Sequence, residues 1–239
     1  MRRGIISSGA GGVNTFSANA LALNGSTQYA TIPSSAVLNP SALSISFWMK
    51  SNLSNSGDGS GHKIILNLGG KYDVNFGSTG NLQVNNFAVG ALSYNYQESG
   101  LWTHICTTIA SGGAGILYID GVSVDTSTVD RSGSSADTTY IGRHASSSTQ
   151  FLDADLMLTH FYDDVLTPSE VTDLYNIGTA LCFDSEPASV QSDAVFAPRF
   201  GNWGSNAGEE LDDQVGSLVT TLFGSPSYTG TGLTVECAS

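Results

Sequence analysis

Basic side chains are scarce in this chain of 239 residues. Lys and Arg together number 8 against 21 Asp and Glu, so the formal net charge is −13. Nucleic-acid binding requires clustered Lys and Arg to neutralise phosphates, and this scarcity disfavours it. Long apolar runs are also lacking, because no stretch of eighteen or more apolar residues occurs, which argues against a membrane-spanning helix.

Charged residues of either sign are few, at 12% of the chain, which is about half of the usual share. The polarity comes instead from Ser, Thr, Asn and 28 Gly. Such a composition is typical of short strands joined by tight turns. The length suits one large all-β domain or two small ones.

Cysteines are also few: Cys106, Cys182 and Cys237. An odd number at this wide spacing predicts neither a disulfide framework nor a metal-binding knuckle. Cys106 alternates with Trp102 and His104 as in a strand, so we expect a buried thiol there. We therefore expect reduced cysteines and assembly in a reducing compartment.

Apolar and polar residues alternate with a period of two along much of the chain, which predicts strands. In residues 43–50, four apolar side chains share one face, and Trp48 lies on the other with Ser and Lys. Asp120 and Gly121 follow one apolar run and precede another. Both residue types tolerate positive φ, so this pair predicts the turn of a β-hairpin.

One short helix is predicted near 167–175. Thr167 is a good N-cap, Pro168 follows at the first helical position, and Glu170 completes a capping box. Val171 and Leu174 then fall on one face of the helix, as packing on a larger body requires.

Six stretches follow one another in a fixed order over roughly residues 18–178: 22–33, 43–50, 102–105, 117–121, 140–143 and 161–171. In this order they resemble the laminin-G-like jelly roll of the concanavalin A-like lectin/glucanase superfamily, as found in tailed-phage virion proteins. The resemblance implies an all-β, antiparallel jelly-roll β-sandwich. The superfamily includes lectins, adhesion modules, glycosidases and viral structural domains, so the fold alone does not name a function. Where relatives usually carry an acidic pair, this sequence has Met157 and Leu158.

The C-terminal part resembles the stretch that normally precedes the first core strand of such domains. We therefore expect an N-terminal arm at 1–17, a laminin-G-like jelly roll at 18–178, and a segment at 179–239 that completes the same sandwich. This arrangement is a circular permutation, which is readily accommodated when the chain ends lie close together. Two alternatives stay open: the segment completes the sandwich of a neighbouring subunit, or it forms a small separate appendage.

No catalytic constellation is found. Glucanases of this fold place two carboxylates on one face of a strand with the spacing Glu-x-Asp-x-x-Glu, and no Glu here has that spacing. No Gly-x-Ser-x-Gly elbow and no His-x-x-x-His metal pair occur either. We therefore predict a protein without catalytic residues.

Two kinds of ligand remain open in the sequence. Calcium prefers oxygen ligands, and Asp153 and Asp155 share a strand face as candidate ligands, although no complete motif surrounds them. Sugar binding requires exposed aromatic rings, and the candidate glycan contacts are Trp48, Tyr94, Tyr96 and Trp203. Each of these rings also suits a structural role, because Trp and Tyr bury most of the ring while the polar N–H or O–H group stays in contact with water or a partner.

The predicted function is that of a non-enzymatic virion structural protein of a tailed phage, a capsid decoration (cement) protein assembled in the host cytoplasm and mounted on the virion surface. The partners would be the major capsid protein or other virion proteins, with further copies of the chain in an oligomer. The assembly contacts would come from an arm with Arg2, Arg3, Ile5 and Ile6, which shows no secretory signal. The alternatives are a phage tail or fibre adhesin, and a secreted carbohydrate-binding module.

Overall fold

The computed structural model of the chain describes residues 13–52, 62–69, 72–86, 89–130, 137–198 and 213–238. Within these residues, two sheets pack face to face as a sandwich, one with nine strands and one with seven. All strand pairs but one are antiparallel in the described part of the chain. The prediction of an all-β, antiparallel jelly-roll sandwich is therefore confirmed.

The described strands are β1 Val13–Asn24, β2 Tyr29–Ile32, β3 Leu43–Ser51, β4 Lys63–Leu68, β5 Tyr72–Phe76, β6 Leu82–Asn86, β7 Val89–Tyr94, β8 Trp102–Ile109, β9 Ala114–Ile119, β10 Val122–Thr128, β11 Thr139–Ile141, β12 Asp153–Tyr162, β13 Ala180–Leu181, β14 Ala194–Phe196, β15 Thr221–Phe223 and β16 Ser227–Ala238. The nine-stranded sheet has the order β10-β9-β8-β3-β12-β1-β16-β13, and β14 pairs with β12. The seven-stranded sheet has the order β15-β2-β11-β4-β5-β6-β7. The helices are α1 Pro168–Tyr175 and the shorter α2 Ala188–Ser192.

The hydrophobic core lies between the two sheets, and the alternation of the sequence produces it. In β3, the apolar residues Leu43, Ile45, Phe47 and Met49 are all buried in this core. Burying a side chain of this kind stabilises a fold by about 1.5–3 kcal/mol. The regular spacing of such residues therefore fixes which face of each strand turns inward.

The predicted turn and helix are both present. Asp120 and Gly121 join β9 to β10 with φ angles of 49° and 76°, the two positive values that this hairpin turn requires. At the start of α1, the Thr167 hydroxyl oxygen accepts a hydrogen bond from the Glu170 N–H at 3.3 Å. The Glu170 carboxylate in turn accepts one from the Thr167 N–H at 2.9 Å, so the capping box is complete. None of the helices in the described residues is long and apolar enough to cross a membrane.

The two ends of the chain meet in the sandwich. β16 runs antiparallel to β1 along most of its length, and β15 pairs with β2 in the other sheet. The pairing that a permuted jelly roll requires is thus formed within one chain. β1 begins at Val13, so the last five residues of the expected arm at 1–17 belong to the sheet. Arg2, Arg3, Ile5 and Ile6 lie outside the described residues.

The outer face of the nine-stranded sheet is covered by residues 163–197, here called the cover segment. Its buried apolar side chains include Leu166, Val171 and Val190, which pack in one cluster with side chains of the sheet. Cys182 of this segment forms a disulfide with Cys237 of β16, with the two Cα atoms 5.0 Å apart. The expectation that all cysteines are reduced is therefore wrong for this pair.

Cys106 is a free, buried cysteine, as expected. Burial raises the pKa of its thiol far above the ordinary value, and the carboxyl of Glu186 adds to the effect. The thiol therefore stays protonated and unreactive in the folded protein.

Candidate functional site

A row of amide side chains, with one carboxyl among them, covers the outer face of the seven-stranded sheet. We call this set, formed by Asn67, Asp73, Asn75, Gln83 and Asn85, the amide face. The set arises from strand alternation, because the residues between them on β5 and β6 point into the core. Four of the five side chains are nonetheless 6% exposed or less, Gln83 being the exception.

Strand register places the central members of the amide face side by side. Asn67 of β4 pairs with Asp73 of β5, and Asp73 pairs with Asn85 of β6. Directly opposite residues in a sheet have Cβ atoms about 4.5–5.5 Å apart. A row of polar groups therefore runs across three strands, perpendicular to the strand direction.

Hydrogen bonds orient the first two members of this row. The side-chain N–H of Asn67 (Nδ2) donates to Oδ1 of Asp73 at 2.5 Å. The side-chain oxygen of Asn67 accepts a bond from the backbone N–H of Ala145 at 3.2 Å, which fixes the orientation of the amide. These two bonds fix Asn67 and one oxygen of Asp73 in the row.

The next members of the amide face add further amide groups. Oδ1 of Asn75 lies 3.3 Å from Nδ1 of His62, so His62 donates and the amide N–H₂ of Asn75 is directed elsewhere. Asn85 and Gln83 offer one donor group and one acceptor group each. The face as a whole therefore presents alternating donors and acceptors with a single carboxyl group.

That single carboxyl group has a perturbed acidity. Burial raises the pKa of Asp73 to about 6, although the hydrogen bond from Asn67 and the nearby His62 both act to lower it. A buried carboxyl with a shifted pKa on a polar surface is a candidate functional group.

Aromatic rings flank the amide face at the β2–β15 edge of the sheet. We call Tyr29, Tyr140 and Phe223 the aromatic end. The rings of Tyr29 and Phe223 stack with centroids 4.6 Å apart and planes within 3°. Tyr140 pairs with Asn67 across β11 and β4, so the aromatic end is continuous with the amide row. Phe223 is 39% exposed, so part of this surface is open to a ligand.

Arg143 stabilises the aromatic end. Its guanidinium carbon lies 4.5 Å from the centre of the Tyr29 ring and 5.5 Å from that of Tyr140, both in cation–π range. Its Nε and Nη2 donate to the backbone oxygens of His144 and Ala145 at 3.0 and 3.2 Å. Arg143 therefore fixes the two tyrosine rings and the turn that carries Ala145, the residue that orients Asn67.

The aromatic residues predicted from sequence as glycan contacts are mostly not available to a ligand. Trp48 is 3% exposed and packs against His104 and Tyr175, because the cover segment lies over its side of the sheet. Tyr96 is 2% exposed and packs edge-on against Phe76. The expectation of a sugar contact is corrected for both, since neither ring offers a face to solvent.

Tyr94 and Trp203 are the other two residues predicted as glycan contacts. Tyr94 is half-buried, and its hydroxyl donates to the Glu98 carboxylate at 2.7 Å. This bond raises the pKa of Tyr94 to about 12. Tyr94 therefore has a structural partner but keeps some exposed surface. Trp203 lies outside the described residues.

The candidate calcium ligands lie on the outer face of the nine-stranded sheet, away from the amide face. Oδ1 of Asp153 accepts from the side-chain N–H of Asn52 at 2.9 Å. Burial raises the pKa of Asp155, and the charge of Lys50 acts against this effect. Among the described residues, no group of three His, Cys, Asp or Glu side chains is close enough to hold a metal ion.

None of the amide face was singled out from the sequence. The signal was present, because the polar positions of residues 72–76 and 82–86 are all Asp, Asn or Gln rather than Ser or Thr. What the sequence did not give is the register that brings β4, β5 and β6 together. Tyr29, Tyr140 and Phe223 are 194 positions apart at their extremes and meet only because β15 returns beside β2.

Two packed sheets with this strand order and a polar outer face define a concanavalin A-like sandwich. The sequence model of the concanavalin A-like lectin/glucanases superfamily matches residues 24–172, more than half of the chain, and the chain belongs to that superfamily. A comparison with curated proteins gives no match.

Solved structures of low sequence identity share the fold. One is a protein from Bacteroides ovatus ATCC 8483 whose description as a carbohydrate-binding protein is itself provisional: 13% identity, TM-score 0.65, covering 92% of this chain and 62% of that one. The SAP-like heptameric pentraxin of Limulus polyphemus has 16% identity and a TM-score of 0.54, covering 86% and 94%. A sialidase of Trypanosoma rangeli has 18% identity and a TM-score of 0.53, covering 72% of this chain but 32% of the enzyme. The chain thus spans less than two thirds of the Bacteroides protein and of the sialidase, and these likenesses show the fold alone.

Proposed function

We propose that the protein is a non-enzymatic glycan-binding module and that the aromatic end, where Phe223 is 39% exposed, is the binding surface, with the buried amide face beside it. The observation that carries the proposal is the stacked pair of Tyr29 and Phe223, which reaches solvent at Phe223 and lies on the same sheet face as the polar row that starts at Tyr140 and Asn67. A provisional carbohydrate-binding description among the structural neighbours supports the same class of ligand.

The chemistry of the face suits sugar hydroxyl groups. A hydroxyl both donates and accepts hydrogen bonds, and side-chain amides offer both kinds of partner. Aromatic rings add an apolar surface for the C–H groups of a sugar, as is usual where a few polar groups fix the orientation of a ligand. The three strands that carry the amide face, β4, β5 and β6, place no basic residue on it, and the guanidinium of Arg143 at the aromatic end is held over the Tyr29 and Tyr140 rings. We therefore propose a neutral glycan as the ligand.

The carboxyl content of the sheet argues against glycoside hydrolysis. Asp73 is the one Asp or Glu in all seven strands of this sheet. Retaining and inverting glycosidases both require a pair of carboxyl groups, about 5–9.5 Å apart, on either side of the scissile bond. The proposed face therefore supports binding and not turnover.

Replacing Asn75 and Asn85 together by Ala is expected to weaken binding by tenfold or more. Each lost hydrogen bond is worth about 0.5–1.5 kcal/mol, and about 1.4 kcal/mol corresponds to a factor of ten. A glycan array identifies the ligand, and titration calorimetry then measures Kd for the variant and the wild type. Asn95→Ala, an exposed amide in the loop after β7, is the matched control. Equal affinity of the double variant and the wild type would contradict the proposal.

Tyr140→Ala is expected to weaken binding by about tenfold, whereas Tyr140→Phe keeps most of the affinity. The reason is that a ring on a sugar contributes through its apolar face, and aromatic contacts of this kind are worth about 0.5–1.5 kcal/mol beyond area burial. The same calorimetric titration checks both variants. A loss of affinity with Phe as large as with Ala would show that the hydroxyl, and not the ring, makes the contact.

The capsid-decoration role stays a prediction. The assembly contacts expected for it, Arg2, Arg3, Ile5 and Ile6, lie outside the described residues. A location on a virion surface and a partner among capsid proteins are tested by co-sedimentation with purified capsids. A calcium requirement also stays a prediction, and repeating the glycan titration with EDTA tests it. A phage adhesin or a secreted carbohydrate-binding module would use the proposed face directly.

A further inference from the structure

We propose that the glycan site holds two successive sugar units, one on the ring of Phe223 and the next over the hydroxyl groups of Thr221 and Thr31. This inference rests on the proposed function and adds the size of the ligand that the same site selects. The ligand class is a neutral oligosaccharide or polysaccharide of at least two units, and a single sugar fills half of the site.

Phe223 is the outermost ring of the aromatic end. Its ring stacks on that of Tyr29 with the two planes within 3°, and 39% of the residue is exposed. The rings in cation–π range of Arg143 are those of Tyr29, Tyr140 and Phe151. The guanidinium is therefore held on the inner rings. A ligand on Phe223 meets an apolar ring and not a charge, which suits the C–H groups of a neutral sugar.

Strand alternation puts a hydroxyl group beside this ring. Thr221 is two residues from Phe223 on β15, so both side chains lie on the outer face of the sheet, while Leu222 between them packs against the core. Residues two positions apart on a strand are separated by about 6.5 Å, and Thr221 is exposed. When one unit of a sugar chain covers Phe223, the next unit is therefore within reach of the Thr221 hydroxyl.

Strand pairing extends Thr221 into a row of hydroxyl groups. Thr221 of β15 lies directly opposite Thr31 of β2, and Thr31 lies opposite Tyr140 of β11. Ala30 and Ile32, on either side of Thr31, are buried in the core, so the Thr31 side chain points outward. Thr31 and Tyr140 are half-buried, and each keeps some surface in contact with solvent. Because a hydroxyl both donates and accepts hydrogen bonds, this row suits the hydroxyl groups of a second sugar unit.

The length of β15 sets the number of sugar units that the site holds. The strand has three residues, so it presents two side chains on the outer face, those of Thr221 and Phe223. The chain then turns at Gly224 and Ser225, both with positive φ, and enters β16 in the other sheet. In the described part of the chain, β15 is the outer strand of its sheet. A sugar chain along this edge therefore has two contact positions, and further units add little.

The experiment first finds the sugar and then varies its length. Native gels that contain a neutral glucan, xylan or mannan show which polysaccharide retards the protein, and titration calorimetry measures Kd for the mono-, di- and tetrasaccharide of that polymer. We expect the disaccharide to bind about tenfold tighter than the monosaccharide, because it reaches both the ring and the hydroxyl row. The tetrasaccharide is expected to bind within about threefold of the disaccharide, since a two-unit site can be placed on four units in three ways.

Two variants separate the two halves of the site. Thr31→Val together with Thr221→Val removes both hydroxyl groups but keeps β-branched side chains that suit a strand. We expect this double variant to bind the disaccharide about tenfold more weakly and the monosaccharide as the wild type does. Phe223→Leu keeps an apolar side chain but removes the flat ring, and is expected to weaken binding of both sugars. The matched control is Thr126→Val, at an exposed threonine of β10 in the other sheet, which should bind as the wild type.

The results distinguish a wrong site size from a wrong function. Equal Kd values for the monosaccharide and the disaccharide, or a disaccharide advantage that survives the loss of both threonine hydroxyls, would overturn the two-unit site while glycan binding stands. A tetrasaccharide that exceeds the disaccharide by more than the statistical factor would place further contacts beyond β15 and would overturn it as well. If neither the gels nor the glycan array detects binding by the wild type, the proposed function fails and the inference fails with it.

Discussion

Glu186→Ala is expected to lower the melting temperature of the protein by about 10 °C. Glu186 is 6% exposed, and its Oε1 accepts from Nδ1 of His160 at 2.6 Å. The Tyr162 hydroxyl lies 3.1 Å from each carboxyl oxygen. Ala would leave both buried partners unpaired, and each stranded buried group costs about 1–3 kcal/mol. At roughly 2–4 °C per kcal/mol in a chain of this size, a loss of about 4 kcal/mol lowers Tm by about 8–16 °C.

The hydrogen bonds of Glu186 hold the cover segment against the sheet. Tyr162 belongs to β12, whereas Glu186 belongs to the cover segment, so their bond joins the two. Burial, with the charge of Glu186, raises the pKa of Tyr162 well above its usual value. The hydroxyl therefore stays protonated and acts as a donor to the carboxyl of Glu186.

Differential scanning calorimetry measures the change, with Asp173→Asn as the matched control. Asp173 is an exposed carboxyl on α1 of the same cover segment, and its removal is expected to change stability by less than about 0.5 kcal/mol. Glycan affinity below the transition should be unchanged in both variants, since the amide face lies on the other sheet. A Tm for Glu186→Ala within about 2 °C of the wild type would contradict the argument, given the scaling above.

The local elements of the fold were predictable from the sequence because their causes are local. The alternation of β3, the positive-φ pair Asp120-Gly121 and the capping box of α1 each depend on a few neighbouring residues. Each of these patterns can be recognised from the residues of the one segment that forms the element. The order of such segments then carried the resemblance to the jelly roll.

The candidate site was not predictable because its causes are not local. Trp48 has the alternation of a solvent-facing residue, and only the return of the cover segment over β3 buries it. Asp73 and Asn67 become neighbours through the pairing of β4 with β5. Phe223 reaches Tyr29 from the far end of the chain. In each case the sequence gives the chemical type of the side chain, and long-range strand pairing decides its surroundings.

The disulfide was missed for the same reason. Cys182 and Cys237 are separated by 55 positions, and nothing in that spacing indicates a pair. They meet because β13 adds in parallel to β16, with the backbone N–H of Cys182 donating to the oxygen of Glu236 at 2.9 Å.

Replacing Cys182 and Cys237 by Ser together is expected to lower stability by about 2–4 kcal/mol, the usual range for a native disulfide. The cross-link closes a long loop, so its loss restores conformational freedom mainly to the unfolded chain. At 2–4 °C per kcal/mol the melting temperature falls by roughly 5–15 °C. Wild type treated with a reductant should show the same fall, whereas the double variant should not respond to it.

Thiol counting decides whether this disulfide is the cause. In denaturant without reductant, the wild type should expose one reactive thiol, that of Cys106, and reduction should raise the count to three. Cys106→Ala is the control, because it removes a buried thiol but leaves the cross-link intact, and its Tm should still fall when the reductant is added. Three thiols before reduction would show that Cys182 and Cys237 are not joined. The stability of the fold would then depend on the pairing of β16 with β1 and β13, without a covalent link to the cover segment.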